Sequence, residues 1–181
     1  MSKWTKKTYK LDAMYGWECK PGYTIFVADR GAVRFDFPED WIFDPGDESG
    51  SILKFHDREP PDDDCVLQVS IFRIPPGMPW NDAPLSSILS DVIKDPEPDE
   101  TRGPLIPAGQ ADIDLLWRES CRQEDGRPAC SRQCLARGNG IMVLMTLDFW
   151  TDDAPRVVPV WDEILRTLRL GEYVRKPGPR R

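Results

Sequence analysis

The sequence predicts an α+β fold, an α/β/α sandwich in which helices cover both faces of a central antiparallel sheet of about six to seven strands. Several segments of strand length alternate apolar and polar residues, and clear turn residues separate them. Two other segments carry apolar residues at helical spacing, which places helices at 82–94 and 155–169. We expect one domain over 22–171, an N-terminal arm over 1–21 and a basic, mobile tail over 172–181.

The first predicted element is a hairpin, YTIFVADRGAVRFDFP (23–38). A three-residue loop over 29–31, with Gly31 in the left-handed conformation, would pair Ala28 with Ala32. That register sets Val27 against Val33 and makes one face apolar. SILKFHD (51–57) and CVLQVSIFRI (65–74) are the next two predicted strands.

Both predicted helices have a start signal and an apolar stripe. NDAPLSSILSDVIKD (81–95) begins with an Asn or Asp cap, and DDAPRVVPVWDEILRTLRLG (152–171) ends at a glycine. The stripe of the second helix consists of Val157, Trp161, Ile164 and Leu168. The loop between the helix and the next strands, 95–109, contains four prolines, and loops of this length are usually functional or mobile.

A three-stranded meander is predicted over 111–150. Asp125-Gly126 forms the tip of its first hairpin, and counting outward pairs Cys121 with Cys130. The same register sets Glu119 opposite Arg132 and Asp114 opposite Arg137, so it brings opposite charges together twice. A second turn over 138–140 returns the chain as IMVLMTLDFW (141–150). Both faces of this meander are fairly apolar, which predicts a covering layer on each side.

Three of the five cysteines lie within CRQEDGRPACSRQC (121–134). Cys130 and Cys134 are about 13 Å apart on one strand, too far to share a metal ion, so we predict no metal site. A Cys121–Cys130 disulfide is geometrically allowed, but a reducing cytoplasm argues against it. The favoured interpretation is that these are free thiols packed in the sheet.

Composition and charge narrow the functional classes. The chain has 181 residues, 40% hydrophobic and 30% charged, and a net charge of −7. Its first ten residues carry +4 and its last ten +3, so the body between them carries −14. Such a body repels phosphate backbones, which argues against nucleic acid as a partner. Since there is no secretory signal and no apolar run of membrane-spanning length, we expect a cytoplasmic protein without a membrane span.

The sequence contains no catalytic constellation that we recognise, so we predict no catalytic residue, no cofactor and no enzyme activity. The single histidine, His56, lies in FHDRE with Asp57 and Glu59 nearby. A small-molecule-binding protein or hydrolase with a sheet–helix pocket near His56 is therefore the alternative hypothesis.

The order of elements, with RFDFPEDW (34–41), VLQVSIFRIP (66–75) and the closing segment FWTDDAPRVVPVWDEILRTLRLG (149–171), resembles the PsbP-like superfamily. That superfamily includes the extrinsic proteins of photosystem II, a Ran-binding nuclear import factor and chaperones of type VI secretion effectors. The resemblance covers roughly 22–171. It implies an antiparallel sheet sandwiched by helices and a non-catalytic role in binding other proteins.

The leading hypothesis is a cytoplasmic protein-binding module, an adaptor or chaperone whose partner is another protein, and self-association into a homodimer is left open. Aromatic and loop residues outside the predicted elements are the candidate contacts with a partner. They are Trp17, Trp80, Pro96, Pro98, Leu105 and Ile106.

Overall fold

The computed structural model describes residues 16–46, 52–93 and 99–174. In chain order its strands are β1 (Tyr23–Ala28), β2 (Val33–Pro38), β3 (Ile42–Asp44), β4 (Leu53–His56), β5 (Cys65–Arg73), β6 (Thr101–Arg102), β7 (Ile106–Pro107), β8 (Asp114–Glu124), β9 (Arg127–Gly138), β10 (Ile141–Trp150) and β11 (Arg169–Leu170). The helices are α1 (Leu85–Val92) and α2 (Ala154–Thr167).

The strands form two antiparallel sheets. The large sheet has eight strands in the order β3-β4-β5-β10-β9-β8-β6, and β7 also pairs with β8. The small sheet has the order β1-β2-β11. The predicted α+β class with a large antiparallel sheet and two helices is confirmed, although the first hairpin lies in the separate small sheet.

The register predicted for the β8–β9 hairpin is confirmed along its whole length. Cys121 pairs with Cys130, and the charged pairs Glu119–Arg132 and Asp114–Arg137 lie opposite each other. The Asp125-Gly126 turn has positive φ at both residues, 51° and 81°, which is the geometry that suits the twist of a two-residue hairpin. β10 then pairs with β9 from Ile141 opposite Gly138.

The register predicted for the first hairpin is wrong by one residue. Ala28 pairs with Val33, not with Ala32, and Phe26 therefore lies opposite Phe35. The loop has positive φ at Asp29, Arg30 and Gly31, and a Cβ on Gly31 would lie 2.1 Å from the carbonyl oxygen of Glu172. The loop thus carries one more residue than predicted, and this shift changes which face of β1 is apolar.

A cluster of phenylalanines joins the two sheets. Phe55 of β4 lies at its centre, fully buried, with ring centroids of Phe26 and Phe37 both at 4.9 Å and that of Phe43 at 5.1 Å. Because two of the four rings belong to β1 and β2 of the small sheet and two belong to β3 and β4 of the large sheet, the contacts hold the sheets together.

Each face of the large sheet is covered by a helix. The predicted stripe of α2 is buried on the same face as the phenylalanine cluster: Val157, Trp161, Ile164 and Leu168. α1 covers the opposite face, where Leu85, Ile88 and Leu89 pack with Leu135 and Met142. The prediction that both faces of the meander need cover is confirmed.

Both helices are shorter than predicted. α1 begins at Leu85 because Pro84 precedes it in extended conformation, and a separate 3-10 turn occupies Pro79–Asn81. α2 ends at Thr167 because the chain continues as β11, which pairs with β2. Residues 172–174 of the predicted tail lie against the first hairpin, where Val174 N–H donates to the carbonyl of Arg30 at 2.7 Å. The division into arm, domain and tail stays a prediction.

Replacing Phe55 with Ala should lower the free energy of unfolding by about 3–5 kcal/mol, because it opens a cavity between the sheets. Urea unfolding followed by circular dichroism measures the change. Phe72→Ala is the matched control, since Phe72 is 42% exposed, and it should cost less than about 1 kcal/mol. Equal losses in the two variants would contradict a central role for the cluster.

Asp148 of β10 provides a second prediction, based on pH. Burial raises the pKa of its carboxyl, and hydrogen bonds from Ser131 and Gln68 oppose this only in part. A raised pKa means that ionising Asp148 destabilises the folded state. The free energy of unfolding of the wild type therefore falls as the pH rises from the normal carboxyl range through the raised pKa of Asp148. Asp148→Asn should therefore raise stability relative to the wild type at pH 7 and less so at pH 4, as measured by urea unfolding. Asp62→Asn, at an exposed position, should show no such pH-dependent gain.

Candidate partner-binding site

A groove runs between the C-terminal half of α2 and the edge of the large sheet at β8. It encloses about 320 Å³. The lining residues come from three segments, the chain after β7, β8 itself and α2, and they are Ala108, Gln110, Trp117, Asp162, Leu165 and Arg166. We call this the α2–β8 groove.

The chain after β6 forms the outer wall by running beside β8. Ile106 pairs with Trp117, and Ala108 N–H donates to the carbonyl of Leu115 at 3.1 Å. Because alternate residues of an extended chain point the same way, Ile106, Ala108 and Gln110 lie on the groove side with Trp117. Ile106 is 38% exposed, so apolar surface continues along the rim. The preceding residue, Leu105, is 39% exposed and is not in alternation with these three.

Two tryptophans form the floor. The Trp117 ring meets Trp161 edge to face, with centroids 6.1 Å apart, and the guanidinium of Arg132 lies 4.9 Å from the Trp117 ring centre. Trp161 is fully buried, and its indole N–H has no hydrogen-bond acceptor among the residues that the structure describes. The half-buried Trp117 is therefore supported from below and offers its remaining surface to the groove.

Gln110 fastens the outer wall to the helix. Its side-chain N–H groups donate to the carbonyls of Leu165 at 2.8 Å and Arg166 at 3.1 Å, and its side-chain oxygen accepts from Arg169 at 2.5 Å. The last carbonyls of a helix lack partners within the helix, so Gln110 both satisfies them and sets the width of the groove.

The charges on α2 divide into paired and unpaired groups. Arg166 donates to both carboxylate oxygens of Glu163, at 2.9 and 2.7 Å, and these bonds lower the pKa of Glu163. Asp162 is exposed and makes no ion pair with any residue of the described ranges. The groove therefore presents one carboxylate, from Asp162, beside its apolar floor.

A disulfide lies further along the same face of β8 and β9. Cys121 and Cys130 are bonded, with Cα atoms 4.1 Å apart, so the favoured interpretation of these two cysteines as free packing thiols is wrong. The register that the sequence predicts sets Cys121 directly opposite Cys130, which brings the side chains close enough to bond. The free cysteines of the described ranges are Cys19, Cys65 and Cys134, and burial raises the pKa of the Cys65 and Cys134 thiols.

A second, more polar cavity of about 370 Å³ lies where the β9–β10 turn approaches residues 111–114. Arg137 forms one side and is held by three acceptors, the carbonyls of Trp80 and Ala83 at 2.7 and 2.8 Å and the carboxylate of Asp114 at 3.1 Å. Since Arg137 is satisfied by the protein itself, it ties the segment before α1 to the sheet.

Comparison with known proteins identifies the family. A family model described as Alr1449 matches residues 24–174. The protein alr1449 of Nostoc sp. strain PCC 7120 is 42% identical, over 97% of this chain and 92% of its own length. The chain belongs to the Alr1449 family.

Solved structures show that this member of the Alr1449 family has the PsbP-like fold. Cyanobacterial PsbP (CyanoP) of Synechocystis sp. PCC 6803 superposes with a TM-score of 0.59 at 14% identity, covering 85% of this chain and 98% of its own. The Ran-binding protein Mog1p of Saccharomyces cerevisiae gives 0.52 at 9% identity, covering 82% and 95%. A Bacteroides thetaiotaomicron structure gives 0.58 at 14% identity, covering 87% of this chain but only 50% of its own.

The candidate contact residues of this Alr1449 family member do not form one surface. Ile106 lies on the rim of the α2–β8 groove, and the adjacent Leu105 is 39% exposed but out of alternation with it. Trp80 is 47% exposed on the α1 side. Trp17 lies under the guanidinium of Arg34, which is 4.2 Å from its ring centre, so it packs against the small sheet. Pro96 and Pro98 lie outside the described residues. Within the described residues, no helix is both long and apolar enough to cross a membrane.

His56 has a different partner from those considered in the sequence. Its Nδ1 lies 2.8 Å from a carboxylate oxygen of Asp63, and His56 lines neither cavity. Asp57 is buried and has a structural role, because it accepts hydrogen bonds from the N–H groups of Asp64 and Cys65 and from Arg156 at 2.7 Å. The arrangement locks the loop after β4.

The sequence did not single out Gln110, Asp162 or Leu165 as site residues. Leu165 lies one position beyond Ile164 on the edge of the apolar stripe of α2, which is the only feature that could have drawn attention to it. Gln110 follows a proline-rich loop, and its contact with α2 spans 55 residues, which no local pattern predicts.

Replacing Gln110 with Ala should lower the free energy of unfolding by about 1–3 kcal/mol, because it removes the donor to the partly buried carbonyl of Leu165 and one of the two donors to the carbonyl of Arg166. Urea unfolding measures the loss. Gln123→Ala, at an exposed position near the hairpin tip, is the control and should change stability by no more than about 0.5 kcal/mol. If the two variants were equally stable, the side chain of Gln110 would not be holding the groove wall.

Proposed function

We propose that this protein is a non-catalytic, cytoplasmic protein-binding module, an adaptor or chaperone, that holds an extended segment of a partner protein in the α2–β8 groove. The observation that carries the proposal is the strip formed by the exposed side chain of Ile106, the half-buried Trp117 and the groove beside them. Exposed apolar surface next to a preformed groove is typical of interaction sites.

The shape and chemistry of the strip define the partner segment. Its floor is a tryptophan supported by a second tryptophan, which suits an aliphatic or aromatic anchor side chain. Asp162 lies at the groove without an ion pair among the described residues, and the body of the chain carries −14. We therefore expect a partner segment with an apolar anchor flanked by Lys or Arg.

The structural neighbours support a binding role at the level of fold. The yeast protein that shares the fold is described as Ran-binding. Identities of 9–14% show the fold alone, so we do not infer that Ran or a photosystem subunit is the partner of this protein. The chemistry of the partner is inferred from the residues of the groove.

Site-specific photo-crosslinking tests the proposal in the native host. A photoreactive residue in place of Ile106 should capture a distinct partner, and the same residue in place of Val92 should not, although Val92 of α1 is 51% exposed. Mass spectrometry of the adduct should place the crosslink beside a basic residue of the partner. Identical captures from the two positions would contradict the groove as the docking site.

Affinity measurements with the captured segment, made as a peptide, give the second test. Ile106→Glu should weaken binding at least about tenfold, because it places a charge on the apolar rim. Asp162→Lys should weaken binding and reduce its dependence on salt, since it reverses the attraction to basic residues. Val92→Glu is the control and should bind normally. Full binding by both groove variants would overturn the proposal.

A further inference from the structure

We propose that reduction of the Cys121–Cys130 disulfide creates a binding site for Zn²⁺ formed by Cys121, Cys130 and Glu119. The carboxylate of Glu119 and the two sulfurs lie within 4.8 Å of one another. The three residues are neighbours on one face of the β8–β9 hairpin, two of them on β8 and the third directly across on β9. This site is independent of the partner proposed for the groove.

The reduction step is a thiol–disulfide exchange with a dithiol. The dithiol supplies two electrons and two protons, the S–S bond between Cys121 and Cys130 breaks, two S–H groups form, and the reductant leaves as its own disulfide. Zn²⁺ then displaces the two thiol protons into solvent and is bound by two thiolates. The predicted cytoplasmic location would hold the pair in the dithiol form.

The backbone geometry suits a shared ion. Thiolate sulfurs bound to one tetrahedral Zn²⁺ at about 2.3 Å are about 3.8 Å apart. The register fixes the Cα atoms of the pair at 4.1 Å, so rotation of the side chains can open the sulfurs from bonding distance to that separation while the strands stay paired. Cys130 and Cys134 cannot share an ion because they are about 13 Å apart along one strand. That distance does not separate Cys121 from Cys130, which lie opposite each other on two paired strands.

Arg132 balances the charge of the site. Two thiolates, one carboxylate and a dication sum to a single negative charge, and the Arg132 guanidinium donates to Oε2 of Glu119 at 2.7 Å. The Arg132 side chain is only 11% exposed, so its positive charge is poorly screened by water. It leaves Oε1 of Glu119 for the ion and orients the carboxylate, as residues around metal ligands commonly do.

The site is open on one side. The side chain of Glu119 is 37% exposed, while Cys130 is only 8% exposed and its sulfur lies 3.4 Å from the hydroxyl oxygen of Thr151. An ion would therefore enter past Glu119, and water would complete the tetrahedron there.

The test uses the full chain without an affinity tag, in a Cys19→Ser background that removes the exposed thiol. One sample stays oxidised, and the other is reduced with dithiothreitol and desalted without oxygen. Competition with a chromogenic zinc chelator should show one equivalent of tight Zn²⁺ binding in the reduced sample and none in the oxidised one. Co²⁺ should give thiolate-to-cobalt absorption and the strong visible bands of a tetrahedral ion in the reduced sample alone.

Two variants assign the ligands. Cys121→Ser should abolish the thiolate-to-cobalt absorption of a two-thiolate site, and Glu119→Gln should weaken Zn²⁺ binding at least about tenfold. Glu124→Gln, an exposed carboxylate on the same strand, is the control and should bind normally. Equal Zn²⁺ binding before and after reduction, full binding by Glu119→Gln, or loss of the folded circular dichroism spectrum on reduction would overturn the proposal.

Discussion

The register of the β8–β9 hairpin is the constraint on which the rest of the structure depends. Both faces of this hairpin are covered, one by α2 and the other by α1. A slip of one residue would exchange the two faces. The slip would turn Trp117, Cys130 and Cys134 away from α2. It would also break the opposite-charge pairs Glu119–Arg132 and Asp114–Arg137. The Asp125-Gly126 turn and the two opposite-charge pairs therefore specify the layers as well as the hairpin.

Much of this fold was predictable because its main signals are local. The long hairpin could be read from its turn residues, and the position of α2 from a stripe that repeats every three or four residues. The register of the first hairpin was not predictable in the same way. Its four-residue loop is shaped by residues 172–174, which approach Gly31 from the other end of the chain. For the same reason the sequence could not show that β1 and β2 leave the central sheet and that β2 pairs with β11.

The candidate sites depend on contacts between residues that are further apart in sequence than those that define the hairpins and helices. Ile106 was predicted as a contact residue from its place in a proline-rich loop, but the groove behind it exists because Gln110 reaches the last turn of α2. The cysteine pair shows a different limit. The predicted register placed Cys121 and Cys130 side by side, which allows a disulfide. We nevertheless predicted free thiols, because the cytoplasm that we expected for this protein is reducing. The structure favours the geometry, and the proximity of Glu119 gives the pair a second chemistry in its reduced form.

The short strands that border β8 have a consequence for how the molecule behaves among its own copies. β8 is eleven residues long, and an uncovered strand of that length would be a template for edge-to-edge aggregation. Residues 101–108 run beside β8 and pair with it in two short strands, β6 and β7. Pro107 in β7 has no backbone N–H that could pair with another strand. At the opposite border, β3 spans three residues and is followed by Pro45. The sheet thus ends on both sides in segments too short and too interrupted to recruit a neighbouring molecule as a further strand.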